Sequence, residues 1–437
     1  STTVLIKPIG FVFEGQPFTI KANLKNFDDM QYELASDGRI DIGRIYQVFS
    51  QKGLGVKGFI KAQFSLKGLQ SDAMNSHYDK LKNSGTLEIN DITVTTEYFP
   101  QPFFIKSGKF SFKDDKIWFD SFKAYYGKSD FTLNGYLTNI INYAVKNEAL
   151  QGNFDLKSDK IVVDEFMAFK GSPASGNTGT GVVLLPTNLN ITFNASIAKV
   201  LYNDLTITEA KGQMGIQTGV LTMKQTGFTI IDAPVVMDAT YQSLSPKKAL
   251  FDYHIVAKDF DIKKAYNEIK IFHDLASAAG KADGIVGLDY SLKGRLDANM
   301  HPVFPSLEGG GTLSVKKVKV KGLKLFSSVS KETGRDKIND PDISKVEIKT
   351  KIKNNIITIE PFKLRIAGFR PKMQGEVSFD GKLNIKFRLG LPPLGLFGIP
   401  MTITGTQEKP VIKMKRGNNN EPLQEKSDNE EDLKENP

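Results

Sequence analysis

Four histidines, His77, His254, His273 and His301, are the first residues to weigh for chemistry. None pairs with another at i, i+4, the spacing that sets two imidazoles on one helix face for a metal ion. The chain has no cysteine, which removes thiolate nucleophiles, disulfide frameworks and Cys-ligated metals and fits an oxidising space. No Gly-x-Ser-x-Gly elbow presents a serine. The carboxylate pair Asp114-Asp115 reads as a turn, where Asp is favoured because its side chain bonds nearby backbone. Gly53-Leu-Gly55-Val-Lys-Gly58 is a literal G-x-G-x-x-G, but that motif cradles a dinucleotide only after a strand and at the start of a helix. Here it follows a helical stripe and leads into a strand-like run, Phe59 to Phe64, so it reads as a helix stop and turn. The residues point to no enzyme, no cofactor and no metal.

The basic residues are the remaining chemical feature. The formal net charge is +9, and the tail from Lys415 to Pro437 is net acidic, so the rest is more basic still. Lys316, Lys317, Lys319, Lys321 and Lys324 interleave with Val315, Val318, Val320 and Leu323; a second stripe runs through Lys345, Lys349, Lys351 and Lys353. Solvated strand faces explain most of this. The functional reading is contact with anionic headgroups or phosphate, with Lys316, Lys317, Lys319 and Lys321 as candidates. Nucleic acid is not expected, because it calls for aromatics or arginines between the cations.

What must position such residues is a β architecture. The 437 residues are 40% hydrophobic and 24% charged, with 30 Phe against a single Trp. Phe brings apolar area without a polar handle. Apolar residues alternate with polar ones at Phe110, Phe112, Ile117 and Phe119, at Phe131, Leu133 and Leu137, at Val346, Ile348 and Ile352, and at Leu383, Ile385, Phe387 and Leu389. Period two means strands with one apolar and one polar face. Asn354-Asn355 and Asp380-Gly381 are hairpin turns. A loose unit, Gly-x-apolar-x-apolar, recurs at Gly85, Gly108, Gly152, Gly212, Gly311 and Gly375. Each hairpin alone leaves its apolar face bare, so the units must stack into an elongated, curved antiparallel sheet with one continuous apolar wall.

A few short amphipathic helices interrupt the strands: Ile42, Ile45, Tyr46 and Phe49 (near 38–52); Met74, Tyr78 and Leu81 (near 71–83); Ile262, Tyr266, Ile269 and Phe272; and Leu323, Phe326 and Val329 before Gly334. The small-residue run 172–181 reads as a linker between an N-terminal segment, 1–171, and a C-terminal segment, 182–414, with a disordered polar tail at 415–437. No apolar run reaches the roughly 18 residues of a membrane helix. The most apolar irregular stretch, Leu389 to Met401, is short and broken by Pro392, Pro393 and Pro400. The chain opens mid-pattern at Ser1-Thr2-Thr3-Val4, as expected of a mature form or fragment whose anchor lies upstream.

The alternation alone leaves the apolar wall either closed on itself, as in a sandwich, or open to a ligand. A transmembrane barrel shows the same alternation with faces exchanged, but the helices, the small-residue loop and the acidic tail fit it poorly. A carbohydrate-active or adhesive surface protein would need exposed aromatics or a carboxylate cleft, and Trp118 is the lone tryptophan.

In order along the chain, Asp37-Gly-Arg-Ile-Asp-Ile-Gly-Arg-Ile-Tyr46, Phe104-Ile-Lys-Ser-Gly-Lys-Phe-Ser-Phe112, Tyr126-Gly-Lys-Ser-Asp130, Pro186-Thr-Asn-Leu-Asn-Ile-Thr-Phe193 and Gly398-Ile-Pro-Met-Thr-Ile-Thr-Gly405 followed by Lys409-Pro410 resemble the periplasmic region of AsmA-like proteins of Bacteroidetes-type envelopes. The similarity spans roughly Phe11 to Met414. It implies a taco-like β-groove related to TamB-type and eukaryotic lipid-transfer bridges. It also implies a periplasmic location, an inner-membrane anchor absent from this chain, and a part in phospholipid traffic and outer-membrane biogenesis. The family carries no catalytic residues. Acyl chains of a phospholipid would then lie on Phe110, Phe112, Phe119, Phe131 and Leu133, and on Ile348, Ile352, Ile385 and Phe387. The alternative is a structural or assembly factor that contacts outer-membrane proteins through sheet edges.

Overall fold

The computed structural model describes residues 2–13, 16–41, 54–75, 77, 80–96, 99–167, 181–392 and 395–414. The class is the expected one: mainly β, open antiparallel sheet, few short helices. The chain forms two compact units, Ser1–Ala257 with Ser291–Val303, and Lys258–Tyr290 with Phe304–Pro437.

The first unit holds strands β1 (Thr3–Phe13), β2 (Gln16–Lys25), β3 (Gln31–Asp41), β4 (Leu54–Leu69), β5 (Ser84–Thr96), β6 (Phe103–Lys113), β7 (Lys116–Tyr126), β8 (Ser129–Thr138), β9 (Leu150–Ser158), β10 (Ile161–Val162), β11 (Leu189–Tyr202), β12 (Leu205–Gln217), β13 (Val220–Ile230) and β14 (Ala233–Ser245), and β15 (Lys248–Asp261) runs up to its boundary. Successive strands pair antiparallel, with one exception: β9 and the short β10 both pair parallel with β11. Two-residue turns close several hairpins. Thr218-Gly219 (φ 51° and 75°) joins Gln217 to Val220, and Ile231-Asp232 (φ 48° and 63°) joins Ile230 to Ala233. Positive φ at both central residues matches the turn to the twist of the strands.

Bulges interrupt the long strands. Asp91, Ser121, Glu209 and Gln225 all have positive φ in mid-strand, beside breaks in register. Side chains on the next strand hold two of them: Ser121 N–H donates to Asn134 Oδ1 (2.8 Å) and Gln225 N–H to Asp238 Oδ1 (2.8 Å). A bulge bends its strand and flips the alternation, so the same face stays apolar on both sides of the break only if the sequence changes phase.

The second unit contains part of β16 (Ala282–Leu296), then an antiparallel meander of β17 (Glu308–Val320), β18 (Asp342–Lys353), β19 (Ile356–Lys363), β20 (Arg370–Ser378), β21 (Leu383–Gly390), β22 (Gly398–Gly405) and β23 (Pro410–Met414). Asn354-Asn355 (φ 52° and 63°) forms the expected two-residue turn between Lys353 and Ile356.

Among the described residues the α-helices are α1 (Gln70–Met74), α2 (Ile140–Lys146), α3 (Ile262–Glu268), α4 (Lys270–Leu275) and α5 (Lys324–Thr333). The helix expected from Ile42 to Phe49 lies outside the described residues. Of the Met74, Tyr78 and Leu81 stripe, Met74 ends α1 and is exposed, Tyr78 lies outside the described residues, and Leu81 is buried and not helical. After α1 the chain turns, with His77 N–H donating to the Asp72 carbonyl (2.9 Å) and Lys80 Nζ reaching the Asp72 carboxylate (3.1 Å). The Ile262–Phe272 stripe breaks at Ile269, which is extended (φ −109°, ψ 101°). Asp261 caps α3, accepting from Lys263 N–H (2.8 Å) and Lys264 N–H (2.9 Å). α5 forms where expected and stops at Gly334 (φ 65°).

The expected linker 172–181 lies, except for Gly181, outside the described residues, as does the tail 415–437. The strands before and after it in the chain, β10 and β11, are parallel neighbours within the first unit. Parallel neighbours require a crossover, so this stretch belongs to the connection inside one unit, and the compact division falls at Ala257/Lys258.

Candidate functional site

In the first unit the register aligns one apolar row across the strands. It runs Phe18, Gly38, Ala62, Leu87, Phe110 and Phe119 from β2 to β7. It continues through Gly135, Phe154, Phe193, Met214, Met223, Ala239 and Tyr253 from β8 to β15, omitting β10. Directly opposite residues share a face, so this is a single wall. The parallel row two residues away adds Phe64, Phe112, Ile117, Leu137, Ile191 and Ile216.

All five N-terminal candidates lie on this face. Phe110 opposes Phe119, Phe112 opposes Ile117, Phe131 opposes Ala124, and Leu133 opposes Phe122. Phe110 is buried, while Phe112, Phe119, Phe131 and Leu133 are half-buried. The rings touch edge to face: Phe110–Phe119 at 4.6 Å and Phe119–Phe154 at 5.1 Å between centroids, and Phe154 stacks on Phe193 at 6.1 Å. Gly135 lies in the row between Phe119 and Phe154, with φ 156°; a Cβ there would press on the Asn153 carbonyl oxygen and come 2.8 Å from Phe154 Cα. Gly135→Ala is therefore expected to lower stability by about 1–3 kcal/mol, read as a shifted urea midpoint; an unchanged midpoint would show that the rings do not depend on this close approach.

Both ends of the wall are covered by irregular chain. At one end Phe166 stacks on Tyr126 (4.4 Å) and sits against Phe99 and Phe131. Tyr126 is fully buried; its hydroxyl donates to the Glu165 carbonyl (3.0 Å) and accepts from Gln101 N–H (3.2 Å), and burial pushes its phenol up. At the other end, where the strands turn at Asp114-Asp115, α1 and α2 pack on each other. Asp115 accepts from Ile141 N–H (2.8 Å), and burial raises its carboxyl. Val182 and Leu185 are also buried at that end: Val182 N–H donates to the Pro246 carbonyl (2.9 Å), and Tyr241 OH to the Val183 carbonyl (2.7 Å). Between these covers, Ser36 Oγ and Thr226 Oγ1 are buried without a hydrogen-bond partner among the described residues.

The C-terminal candidates have a different setting. Ile352, Ile385 and Phe387 are 3%, 2% and 2% exposed, and Ile348 is half-buried. Ile385 opposes Ile403, and Phe387 opposes Met401, both buried. Leu325, Phe326 and Val329 of α5 are buried too, and α5 packs on β23. Ile352, Ile385 and Phe387 are thus packed like Phe110 of the first unit, which is 5% exposed, and leave little surface open to a ligand.

The four lysine candidates are exposed, and they do not share the apolar side. Val315, Val318 and Val320 are buried; Lys316 and Lys317 stand between them where Lys345 (φ 53°) interrupts the alternation of the paired strand, and Lys319 opposes Asp342. Lys316 pairs with Asp259. The lysines therefore mark the solvated face. Gly55 and Gly58 lie inside β4, so the G-x-G-x-x-G leads into a strand and not a helix.

Residues that the sequence reading missed are Phe99, Phe166, Val182 and Leu185, which cover the wall, and α2. Their signal is nonlocal: Phe166 is an isolated aromatic in an irregular stretch, and α2 has left-handed asparagines, Asn139 and Asn147, at both ends. A depression of 510 Å³ lies on β2–β5, lined by Thr19, Lys21, Asp37, Gln63 and Thr86, whose side chains are exposed on the polar face. Among the described residues no group of three or more His, Asp or Glu is placed to hold a metal. No known protein family, curated protein or solved structure matches the chain.

Proposed function

We propose that this chain is an AsmA-like envelope protein whose apolar wall takes the acyl chains of phospholipid, conveying lipid between membranes and supporting outer-membrane biogenesis. It acts in the periplasm, associated with the inner membrane. The observation that carries the reading is the continuous apolar wall of the first unit, on which the apolar side chains of Phe112, Phe119, Phe131 and Leu133 stay half-buried. Removing apolar area from water is worth about 25 cal/mol per Å², so an acyl chain laid along such a row gains at every methylene.

The test is recovery of lipid. The chain, purified in mild detergent, is extracted and its lipid identified by mass spectrometry. A photocrosslinking residue at Phe112 should capture that lipid, and one at Trp118, on the polar face, should not. Protein free of lipid, with no crosslink from Phe112, sinks the proposal.

A second reading, an assembly factor for outer-membrane proteins, rests on β1. Among the described residues β1 pairs with β2 alone, and its Leu5, Ile9 and Val12 are 64%, 52% and 72% exposed. An edge strand of this kind can accept a further strand. Capture of an outer-membrane protein with no lipid would favour it.

A further inference from the structure

The polar face of β3–β8 is not one uniform solvated surface. One row mixes both signs of charge, as a solvated strand face does: Arg39, Lys61, Glu88, Lys109 and Asp120 oppose one another in turn from β3 to β7. Within it Lys61 pairs with Glu88 (4.0 Å). Toward the other edge of the face, Lys67 pairs with Glu33 (3.8 Å). Between these charged margins lie two rows of another composition. The first is Asp37, Gln63, Thr86, Ser111, Trp118 and Tyr136, from β3 to β8. The second is Ser65, Ser84, Lys113, Lys116 and Thr138, from β4 to β8. Asp37 is the single carboxylate of the two.

Trp118 and Tyr136 stand directly opposite each other and are 38% and 37% exposed. The Lys116 ammonium lies 3.8 Å from the centre of the Tyr136 ring and 5.1 Å from that of Trp118, which steadies both rings and sets a cation beside them. Lys113 opposes Lys116, and Lys21 on β2 extends the second row opposite Ala35. None of these three lysines has a carboxylate partner among the described residues, and the side chains of Gln63, Thr86 and Ser111 bond no other described residue. The 510 Å³ depression on β2–β5 falls on the same strip, with the small Ala35 standing between Lys21 and Ser65. Ligand sites are commonly about 300–1,000 Å³.

We propose that this strip docks a linear acidic glycan. Its pyranose rings lay their C–H faces on Trp118 and Tyr136, its hydroxyls bond Gln63, Thr86 and Ser111, and its carboxylates meet Lys21, Lys113 and Lys116. Trp and Tyr suit a sugar because each joins a broad apolar face to a polar tip. Hydroxyl and carboxamide side chains both donate and accept, as sugar hydroxyls do. The unpaired lysines outnumber the one carboxylate, and that charge complementarity selects an acidic chain. From β3 to β8 the strip spans about 24 Å, at about 4.8 Å per strand, a length that suits a polymer. Nucleic acid would call for cations all along the track, whereas Ser65, Ser84 and Thr138 fill most of the lysine row. The strip lies on the face opposite the apolar wall and does not depend on the lipid-carrier reading.

The test is titration of the full chain with galacturonate oligosaccharides, followed by calorimetry and by the emission of Trp118, the only tryptophan. The oligosaccharide should bind and shift the emission to the blue as it displaces water from the indole. Tyr136→Ala keeps the reporter and should lower the affinity by about tenfold. Lys21→Gln with Lys113→Gln should lower it by about fivefold and flatten its salt dependence. Lys123→Gln with Lys157→Gln removes the same charge elsewhere on the polar face and should leave the affinity at the parent level. All the substituted side chains are exposed, so each variant should melt like the parent. Absence of binding, a Tyr136→Ala variant that binds like the parent, or equal binding of uncharged cello-oligosaccharides each overturns the proposal. So does single-stranded DNA that binds more tightly and displaces the oligosaccharide, which would assign the strip to nucleic acid. Lipid recovery is read from Phe112 and Leu133 on the other face, so failure here is distinguishable from failure of the carrier reading.

Discussion

Phe154→Ala is expected to cost the first unit about 3–5 kcal/mol, the range for truncating a buried aromatic. Phe154 is 4% exposed and bridges the ring of Phe119 on one side and that of Phe193 on the other. It also sits at the parallel β9–β11 pairing, the less stable kind of ladder per residue. Removing its ring opens a cavity and uncouples the aromatic row where the backbone pairing is weakest. The covers cannot fill that space, because Phe166 and the 181–185 stretch lie toward the ends of the wall. Trp118 is the only tryptophan and lies on β7 of the same unit, so its emission during urea unfolding reports this unit and not the other. Phe112→Ala, at a half-buried site in the neighbouring row, should cost about half as much, because less apolar area returns to water. A Phe154→Ala loss below about 1 kcal/mol would mean that the row is not a packed unit and that its rings stack without load.

Strand content, the hairpin at Asn354-Asn355 and helix α5 were legible in the sequence because each is a local rule: period two, paired asparagines at positive φ, an apolar stripe ended by glycine. The bulges were not. In β6 the buried side passes from Phe103 and Ile105 to Gly108, Phe110 and Phe112, a change from odd to even positions. A strict alternation reads that as two strands or as noise. The only trace is the run of three apolar residues from Phe103 to Ile105, which keeps either phase plausible. The state of the wall was equally hidden, because Phe112 and Phe387 have the same alternating surroundings. What separates them is chain from elsewhere: α5 packs in the second unit, and Phe166 and Val182 reach only the ends of the first. Local pattern sets which face is apolar, and tertiary cover decides whether that face is core or site.

Leu133→Lys should reduce the lipid recovered with the chain by about tenfold or more. Leu133 is half-buried on the apolar wall, opposite Phe122 on β7 and Leu156 on β9. An ammonium there either stays among the rings, losing hydration at a cost of several kcal/mol, or bends its stem along the wall to reach water. In both cases it occupies the surface an acyl chain would cover and presents a charge to methylene groups. Because the site is half-buried, the fold should survive with a loss of about 1–3 kcal/mol, visible as a lowered but still cooperative melt. Thr132→Lys is the matched control. Thr132 is the adjacent residue, opposite Lys123 and Lys157, both exposed on the polar face, so the same charge added there should leave lipid recovery at the parent level. The pair separates a wall that carries lipid from a protein that adsorbs it through general basicity, since both variants gain one positive charge. Equal lipid on the two variants would remove the wall from the mechanism, and the exposed edge of β1 would then be the feature through which this protein acts.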